Sequence, residues 1–369
     1  MSRIEIKNLA KSFKEDAVLS GIDLDVPQGS TLVLFGPSGA GKTVLLRCIA
    51  GAIEPDSGDV LLGGASVSDV LPEHRGIGMA FQNFALFPHM SAYDNIASPL
   101  TARKKTGDQI RKGVDAVARL LKIDHVLDHT PKALSNGQKQ RTALARALVS
   151  EPKVLLLDDP LRNVDAKLRF EMRLELPRLL SDQGATVIYV TQDYREAMAL
   201  GDRIAVLDGG HIIQNGTPEE IYRKPATINI AKLFGDPTIN LLDVVPVSDA
   251  SGVHAMLSDR RIQLDPGLAG YAGKECVLGL RPEALSFTDA SDGVPVTIEA
   301  ETPFNEKSVT LVTTLRKREI LLSRPSGTPA PQSGTVHITI DPSDAVLFDR
   351  ETGLRIDPNG NNQAAERAA

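Results

Sequence analysis

The chain has 369 residues, 42% hydrophobic and 24% charged, a composition typical of a globular protein with room for two or three domains. Its formal net charge is −6 without a long basic run, which argues against nucleic acid as the main partner, and no apolar run approaches the roughly 18 residues of a membrane-spanning helix. The two cysteines lie far apart, and Met1 leads directly into strand-like sequence, so we expect a reducing, cytosolic compartment and no signal peptide.

The N-terminal residues 3–35 are predicted to form strands. Apolar and polar side chains alternate before an apolar run at 31–35, which predicts an antiparallel β layer leading into a buried strand of a central sheet. Phe13 lies in a polar-flanked stretch of this layer. Two interpretations remain open for it: a core residue of an edge strand, or a ring on which an adenine base stacks.

Residues 36–43 fit the P-loop pattern of a glycine, four free positions and then Gly-Lys-Thr. They follow the predicted strand and precede a predicted helix at 44–50, which is the context that a phosphate site requires. This context argues against the alternative, a Gly-rich turn that binds no ligand. Inward-turned amides and a helix N-terminus favour an anion, so we expect Lys42 to meet the β- and γ-phosphates of a nucleotide and Thr43 to hold Mg²⁺. The residues assigned to this site are Gly36, Pro37, Ser38, Gly39, Ala40, Gly41, Lys42 and Thr43.

The next segment combines short strands with an apolar loop. Residues 57–64 read as a strand and a turn, and residues 76–81 as a buried strand that runs into Gln82. The loop 83–90 is apolar but lacks the periodicity of a core element. We therefore interpret it as an exposed interaction surface.

Helical spacing dominates residues 108–149, in which a turn at 132–138 is expected to open a helix at 139–149. An apolar strand at 154–157 then ends in Asp158 and Asp159. Ligands of open α/β sheets bind at this edge, so we expect Asp158 to hold Mg²⁺ through water and Asp159 to position an attacking water. A helix N-cap is the alternative role, and the two roles can coexist.

Further strands are predicted beyond this acidic pair. The run 186–190 reads as a strand, and Thr191, Gln192 and Asp193 follow it. Residues 203–207 and 211–214 read as a hairpin.

Six motifs, taken together, make residues 1–235 resemble the ATP-binding subunit of an ABC transporter. They are, in order, Phe13, the P-loop, Gln82, the signature Leu134-Ser135-Asn136-Gly137-Gln138, the pair Asp158 and Asp159, and Gln192. The resemblance implies an α/β P-loop NTPase fold of the ABC ATPase class, with a helical subdomain at about 83–152. Among the motifs, the signature is the most specific because other P-loop ATPases lack it.

The resemblance also implies roles for residues that chemistry alone does not assign. Ser135, Gly137 and Gln138 would contact the ATP held by a facing subunit, so that two such subunits sandwich two ATP molecules. Gln82 would sense Mg²⁺ and the attacking water, and loop 83–90 would receive membrane-spanning permease subunits. A solute-binding protein would act indirectly, and the chain would sit at the cytoplasmic face of the inner membrane.

The C-terminal residues 236–356 resemble the regulatory domain of maltose-type carbohydrate importer ATPases. The likeness rests on residues 278–283 and 348–356, and short alternating strands independently predict a β-rich, OB-like domain. We place the boundary at Gly235-Asp236-Pro237 and expect residues 357–369 to be a disordered tail.

Four positions depart from the family pattern. Asp159 stands where the family has Glu, Gln192 replaces a His, and Asn136 replaces a Gly. Arg162 replaces a small residue in the loop 160–165, which the resemblance implies faces the partner subunit. Asn136 is expected to be harmless because Asn tolerates left-handed backbone conformations. A carboxylate retracted by about 1.5 Å, and a glutamine that carries no charge, are expected to slow hydrolysis while ATP binding persists.

The sequence thus predicts an ATP-binding and hydrolysing subunit of an importer, for a sugar, polyol or related small solute, with ATP and Mg²⁺ as ligands. It also raises the hypothesis of a catalytically weakened subunit in a homodimer or a heterodimer. Two alternatives are a non-hydrolysing regulatory pseudo-ATPase and a soluble ABC ATPase outside transport. The soluble class typically carries coiled-coil insertions or basic surfaces, which this sequence lacks.

Overall fold

The chain divides into two compact units, Met1–Pro218 and Glu219–Ala369. The computed structural model describes residues 2–290, 293–328, 331 and 335–358. The division between the units comes before the predicted boundary at residue 235. The predicted tail falls largely on residues 359–369, which lie outside the described residues.

The first unit alternates strands and helices. Its elements are β1 (Ile4–Phe13), β2 (Asp16–Val26), β3 (Thr31–Phe35), α1 (Lys42–Ala50), β4 (Ser57–Leu62), β5 (Ala65–Ser66), β6 (Ile77–Ala80), α2 (Ala92–Ala102), α3 (Gly107–Leu120), α4 (Asn136–Leu148), β7 (Val154–Asp158), α5 (Ala166–Gln183), β8 (Thr186–Thr191), α6 (Tyr194–Leu200), β9 (Arg203–Asp208) and β10 (His211–Gly216).

Two sheets organise these elements. The central sheet has the order β10-β9-β3-β8-β7-β6 and is parallel except that β10 runs antiparallel to β9. The second sheet, β2-β1-β4-β5, is antiparallel, as the alternation near the N-terminus predicts. Every residue of β7 and β8 is buried, in keeping with the continuous apolar runs of parallel strands.

The helix boundaries follow capping chemistry. Ser135 caps α4, so that helix begins at Asn136, three residues before the predicted start at residue 139. Residues 121–135 contain only short 3₁₀ turns, so the predicted helical region 108–149 consists of α3 and α4 with a break. Asp165 caps α5 by accepting from the backbone N–H of Leu168 at 3.0 Å.

The core of the first unit lies between the two sheets and α1. Leu45, Leu46 and Ile49 of α1 are fully buried against Leu34 of β3 and Leu156 of β7. Burying a side chain of this size contributes about 1.5–3 kcal/mol, so the helix that carries Lys42 and Thr43 is fixed firmly to the sheet.

The second unit is β-rich, with two short helices at its start. Its elements are α7 (Pro218–Arg223), α8 (Ile228–Leu233), β11 (Asn240–Val244), β12 (Val247–Asp249), β13 (Gly252–Leu257), β14 (Arg260–Gln263), β15 (Cys276–Leu280), β16 (Leu285–Thr288), β17 (Val294–Pro303), β18 (Lys307–Thr314), β19 (Glu319–Pro325), β20 (Thr335–Ile340) and β21 (Ala345–Asp349). Ala231 of α8 packs with Ile239 and Phe348, so residues just before the predicted boundary are part of this unit.

Three antiparallel sheets make up the second unit, with orders β11-β15-β21, β12-β13-β14 and β16-β20-β17-β18-β19. Buried and half-buried residues alternate along β18, the pattern of a strand with one face in a core. The prediction of an α/β P-loop fold followed by a β-rich domain is confirmed. Within the described residues, no helix is both long enough and apolar enough to span a membrane.

Candidate nucleotide-binding site

A cavity of about 210 Å³ opens where β3, β6, β7 and β8 end. P-loop residues 38–43 line it together with Gln82, Asp158, Asp159 and Gln192. Val18, Val44, Arg162 and Val190 complete its wall. Residues predicted from four separate stretches of sequence thus meet at the carboxyl edge of one parallel sheet, where ligands of such sheets bind.

The backbone of the P-loop requires glycine. Gly36 lies at φ 158°, and a Cβ there would come within 2.1 Å of the Leu207 carbonyl oxygen. Gly41 lies at φ 97° and precedes α1 without a side-chain cap, so the first amides of that helix are left for another acceptor. Uncapped amides and the positive end of a helix are the features that bind phosphate.

Lys42 is buried at the floor of the P-loop, with 6% of its surface exposed. Its Nζ donates to the carbonyl oxygens of Gly36 at 2.8 Å and Pro37 at 2.6 Å. Burial lowers the pKa of Lys42, while the carboxylates of Asp159 and Asp158 act in the opposite direction. The loop therefore holds the ammonium group in place beside the cavity.

Thr43 and Asp158 form a hydrogen-bonded pair. The Thr43 hydroxyl donates to Asp158 at 2.9 Å for Oδ2 and 3.2 Å for Oδ1. Burial raises the pKa of Asp158, which is 2% exposed, and the Thr43 hydrogen bond partly offsets that rise. A hydroxyl and a carboxylate side by side suit Mg²⁺, which usually takes few protein ligands and completes its shell with water and phosphate. In the described part of the chain, no cluster of three His, Cys, Asp or Glu side chains that could hold a metal occurs.

The backbone of Asp159 adopts a left-handed conformation at φ 50°. Its N–H donates to the Val190 carbonyl at 3.0 Å, and its carbonyl accepts from Gln140 Nε2 at 2.7 Å. Burial raises the pKa of Asp159, and the guanidinium of Arg162, with Nη1 3.9 Å from Oδ2, is the largest opposing influence. A non-glycine residue in this region is uncommon, and here hydrogen bonds on both sides hold it.

Gln140 is a positioning residue that sequence reasoning missed. It is 3% exposed, and while its Nε2 binds the Asp159 carbonyl, its Oε1 accepts from the Asn163 N–H at 2.8 Å. Gln140 thereby ties both ends of the turn after β7 to helix α4. The burial of this glutamine depends on tertiary packing, so its immediate sequence offered no signal.

Gln192 lies in the cavity wall just after β8, on a strand end that a buried carboxylate anchors. Tyr189 and Thr191 both donate to Glu196 Oε2 at 2.9 Å, and the Asp193 N–H donates to Thr191 Oγ1 at 3.0 Å. Burial raises the pKa of Glu196. This network fixes the backbone that presents Gln192.

The signature residues and Phe13 lie outside the cavity of their own chain, among the residues described. Ser135 Oγ accepts from the Gln138 N–H at 3.3 Å, and Gln138 Oε1 accepts from the Ser135 N–H at 2.9 Å, forming a capping box. Gly137 follows in the first turn of α4. Phe13 is 45% exposed at the end of β1, with Lys11 Nζ 5.6 Å from its ring centroid, so it is not a core residue.

Loop 83–90 borders a second, larger groove of about 540 Å³ that Phe81, Phe87 and Arg146 help to line. We expected the loop to be an exposed surface, and this holds for Phe87, which is 43% exposed, but Phe84 and Leu86 are half-buried. The reason is a local fold of the loop, which the sequence pattern did not predict.

Two side chains hold that fold. Asn95, fully buried, accepts from the Phe87 N–H at 2.8 Å and donates to the carbonyls of Phe87, Met90 and Ser91. Arg146 of α4 donates to the carbonyls of Ala85 at 2.8 Å and Phe84 at 3.2 Å. The Arg146 contacts join segments about 60 residues apart, and the Asn95 contacts reach back four to eight residues without forming a recognised motif, so neither was predicted from the sequence.

Comparison with known proteins agrees with this geometry. A family model described as ABC transporter matches residues 19–162, one described as MalK OB fold domain matches 235–285, and one described as TOBE domain matches 278–348. The fold also resembles the dimeric ATP-binding cassette MJ0796 bound to ADP and Pi, with a TM-score of 0.56 and 30% identity, over 58% of this chain and 98% of that one.

Two curated relatives extend the match across both units. The sn-glycerol-3-phosphate import ATP-binding protein UgpC of Yersinia pseudotuberculosis is 40% identical over 97% of this chain and 100% of its own length. The maltose/maltodextrin import ATP-binding protein MalK of Vibrio cholerae is 41% identical over 79% of each chain. Fold and site define an ABC-type ATPase, and the chain belongs to the family of ABC importer ATP-binding proteins that carry a C-terminal OB and TOBE region.

Proposed function

We propose that this chain binds and hydrolyses ATP to energise a membrane importer for a sugar, a polyol or a related small solute. The observation that carries the proposal is the single cavity that joins the P-loop, the Thr43–Asp158 pair, Asp159 and Gln192. Relatives of similar identity are named for different solutes, sn-glycerol-3-phosphate in one case and maltose or maltodextrin in the other, so we propose a class of solute and not one compound.

Within the site, the P-loop amides and Lys42 bind the phosphates, and Thr43, Asp158 and Gln82 hold Mg²⁺. When bound, Mg²⁺ neutralises part of the charge on the β- and γ-phosphates. Asp159 orients the attacking water, and Gln192 donates a hydrogen bond to the terminal phosphate. The roles of Lys42, Thr43, Asp158 and Asp159 follow from side-chain chemistry and from their position in the cavity wall. Those of Gln82 and Gln192 follow from the family resemblance, and both residues line the same cavity.

Coupling of nucleotide binding to the membrane depends on residues of the nucleotide cavity and of the groove that are neighbours in sequence. Gln82 lines the nucleotide cavity, while its neighbour Phe81 and the nearby Phe87 line the groove. A shift of Gln82 on nucleotide binding is therefore transmitted directly to the groove wall. We infer that a permease segment docks there, which places the chain at the cytoplasmic face of the membrane.

The proposed assembly is a dimer in which ATP bound to one chain meets Ser135, Gly137 and Gln138 of the other. These residues lie outside the cavity of their own chain, as this arrangement requires. Phe13 stacks on the adenine, since its ring is exposed at the end of β1. Closure of the dimer on ATP and reopening after hydrolysis would drive transport.

The experiment isolates the permease and solute-binding proteins that co-purify with this chain and reconstitutes the complex in liposomes. We expect ATP hydrolysis that rises on adding the loaded binding protein, together with solute uptake that needs ATP. ATP binding without any hydrolysis in the full complex would instead favour a regulatory pseudo-ATPase. A chain that binds ATP but never associates with a permease would favour a role outside transport.

A further inference from the structure

Arg162 stands at the mouth of the nucleotide cavity in an unusual position. It lines the cavity, and its Nη1 lies 3.9 Å from Asp159 Oδ2, close enough for an ion pair but too far for a hydrogen bond. Its side chain is 55% exposed, whereas that of Asp159 is only 14% exposed. The guanidinium therefore has room to move, while the carboxylate does not.

The backbone of Arg162, in contrast, is held firmly. Its N–H donates to the Asp159 carbonyl at 3.3 Å, and its carbonyl accepts from Arg169 Nη2 at 3.1 Å. These backbone hydrogen bonds fix the position of the Arg162 Cα, while the exposed guanidinium can change its conformation. This arrangement suits a residue that reaches toward a ligand.

The charges of the cavity wall give that end a target. Among the residues that line the cavity in the described chain, Lys42 and Arg162 are the cations, and Asp158 and Asp159 are the anions. Lys42 is buried and bound by two carbonyls, so Arg162 is the mobile positive charge. A triphosphate bound in this cavity places its terminal phosphate near Asp159. The negative charges of the phosphate and the Asp159 carboxylate repel each other unless a cation lies between them.

We propose that the Arg162 guanidinium moves away from Asp159 to contact the terminal phosphate of ATP. This contact makes the chain prefer ATP over ADP. The proposal rests on the proposed function, since it needs ATP in this cavity. A guanidinium presents a planar fork that matches two phosphate oxygens. ADP lacks the phosphate in question and gains nothing from the contact.

The test compares ATP and ADP affinities, by calorimetry or fluorescent analogues with Mg²⁺, at concentrations where sedimentation shows the full-length chain as a monomer. We expect Arg162→Ala to weaken ATP binding about three- to tenfold and ADP binding less than twofold, the range for a partly exposed charge-assisted contact. Arg162→Lys should recover part of the ATP preference, and Arg162→Gln, which has no charge, should not.

Arg111→Ala is the matched control. Arg111 forms an exposed i,i+3 pair with Asp108 at 3.1 Å on α3, so its removal deletes a comparable surface pair far from the cavity in sequence. It should change neither affinity. Circular dichroism should give the same melting temperature for all variants, because the contacts of Arg162 that shape the turn are made by its backbone.

An unchanged ATP-to-ADP ratio in Arg162→Ala would overturn the proposal. So would a faster ATP turnover with that ratio unchanged, because it would show that Arg162 restrains Asp159 and does not bind phosphate. If instead the wild-type chain binds neither nucleotide, the proposed function itself fails. The two failures are therefore distinguishable.

Discussion

At the scale of single residues, the site keeps the residues proposed to bind ATP and Mg²⁺, and two residues proposed to act in hydrolysis depart from the family pattern. Lys42, Thr43 and Asp158 are hydrogen-bonded within the cavity wall, so their geometry is set before any ligand arrives. Asp159 and Gln192 occupy positions at which the resemblance implies Glu and His. Preorganisation at the binding end combined with shorter or uncharged groups at the reacting end points to tight binding and slow turnover.

Replacing Lys42 with Ala should weaken ATP binding by about 10- to 100-fold, because hydrogen bonds from a charged donor contribute about 1.5–3 kcal/mol. The carbonyl oxygens of Gly36 and Pro37, which accept hydrogen bonds from Lys42 Nζ, would also lose this donor. Isothermal titration calorimetry with MgATP measures the effect, and the Arg111→Ala variant is the control. Unchanged affinity would contradict the assignment of the P-loop.

Restoring the family residues with Asp159→Glu and Gln192→His should raise ATP turnover of the isolated chain by roughly 10- to 1,000-fold, equal to about 1.4–4 kcal/mol of barrier. The gains need not add, because both residues act on one water and one phosphate. Steady-state phosphate release measures the change. If the wild-type chain already turns over briskly and the double variant is no faster, the weakened-site hypothesis is wrong.

At the scale of elements, helix α4 connects the parts of the first unit that nucleotide binding should move together. Its start carries Ser135, its middle carries Gln140 on the Asp159 turn, and its last turn carries Arg146 on loop 83–90. Because a helix is rigid, a displacement at one end of α4 shifts the groups that contact its middle and its other end. We therefore propose α4 as a second route, besides Gln82 and Phe81, by which cavity and groove are coupled.

Arg146→Met should loosen the groove wall while leaving ATP affinity unchanged. The variant keeps apolar length but leaves the carbonyls of Phe84 and Ala85 without their donor, both at positions with positive φ. We expect a loss of about 1–3 kcal/mol in the free energy of unfolding and faster amide exchange confined to residues 83–90. Exchange that rises evenly over the whole unit would contradict this local role.

Phe87→Ser should abolish assembly with the permease without unfolding the chain, because the ring is 43% exposed and lines the groove. Phe84 is half-buried, so Phe84→Ser should also cost stability, which makes Phe87 the sharper probe. Phe170→Ser is the matched control, since Phe170 is 59% exposed on α5. Co-purification with the permease is the measurement, and loss of assembly in both variants would argue against a specific groove.

At the scale of the whole molecule, the weakened residues bear on how two chains are paired. In a homodimer, Asp159 and Gln192 would occupy both sites. In a heterodimer, Ser135 of this chain would complete a site whose water-positioning residues come from a different, unaltered chain. We propose the heterodimer, because it keeps one fully equipped site.

The pairing is tested by purifying the complex from the native cells through a tag on this chain and counting ATP-binding chains by intact mass. We expect two different ATP-binding chains in equal amounts. A complex that holds two copies of this chain and hydrolyses ATP at a rate typical of enzymes, about 1–1,000 s⁻¹, would refute it.

The sequence by itself determined the local features of this protein. The P-loop, the acidic end of β7, the hairpin of β9 and β10 and the alternation of the second unit could be predicted because they depend on neighbouring residues, on glycine conformations and on periodicity. The resemblance supplied the roles of Gln82 and Ser135, which no local rule contains.

Tertiary structure decided which side chains act on these features from a distance. Gln140 on the Asp159 turn and Arg146 on loop 83–90 depend on how helix α4 packs against the sheet. Asn95 and Arg162 act over shorter sequence distances, and the fold of their own loop or turn decides which group each side chain meets. Similar polar residues on other helices face water, and nothing in their immediate sequence separates the two cases. Hydrogen bonds between distant segments are set by the packing of the apolar core, which places backbone groups within reach of one side chain and not another.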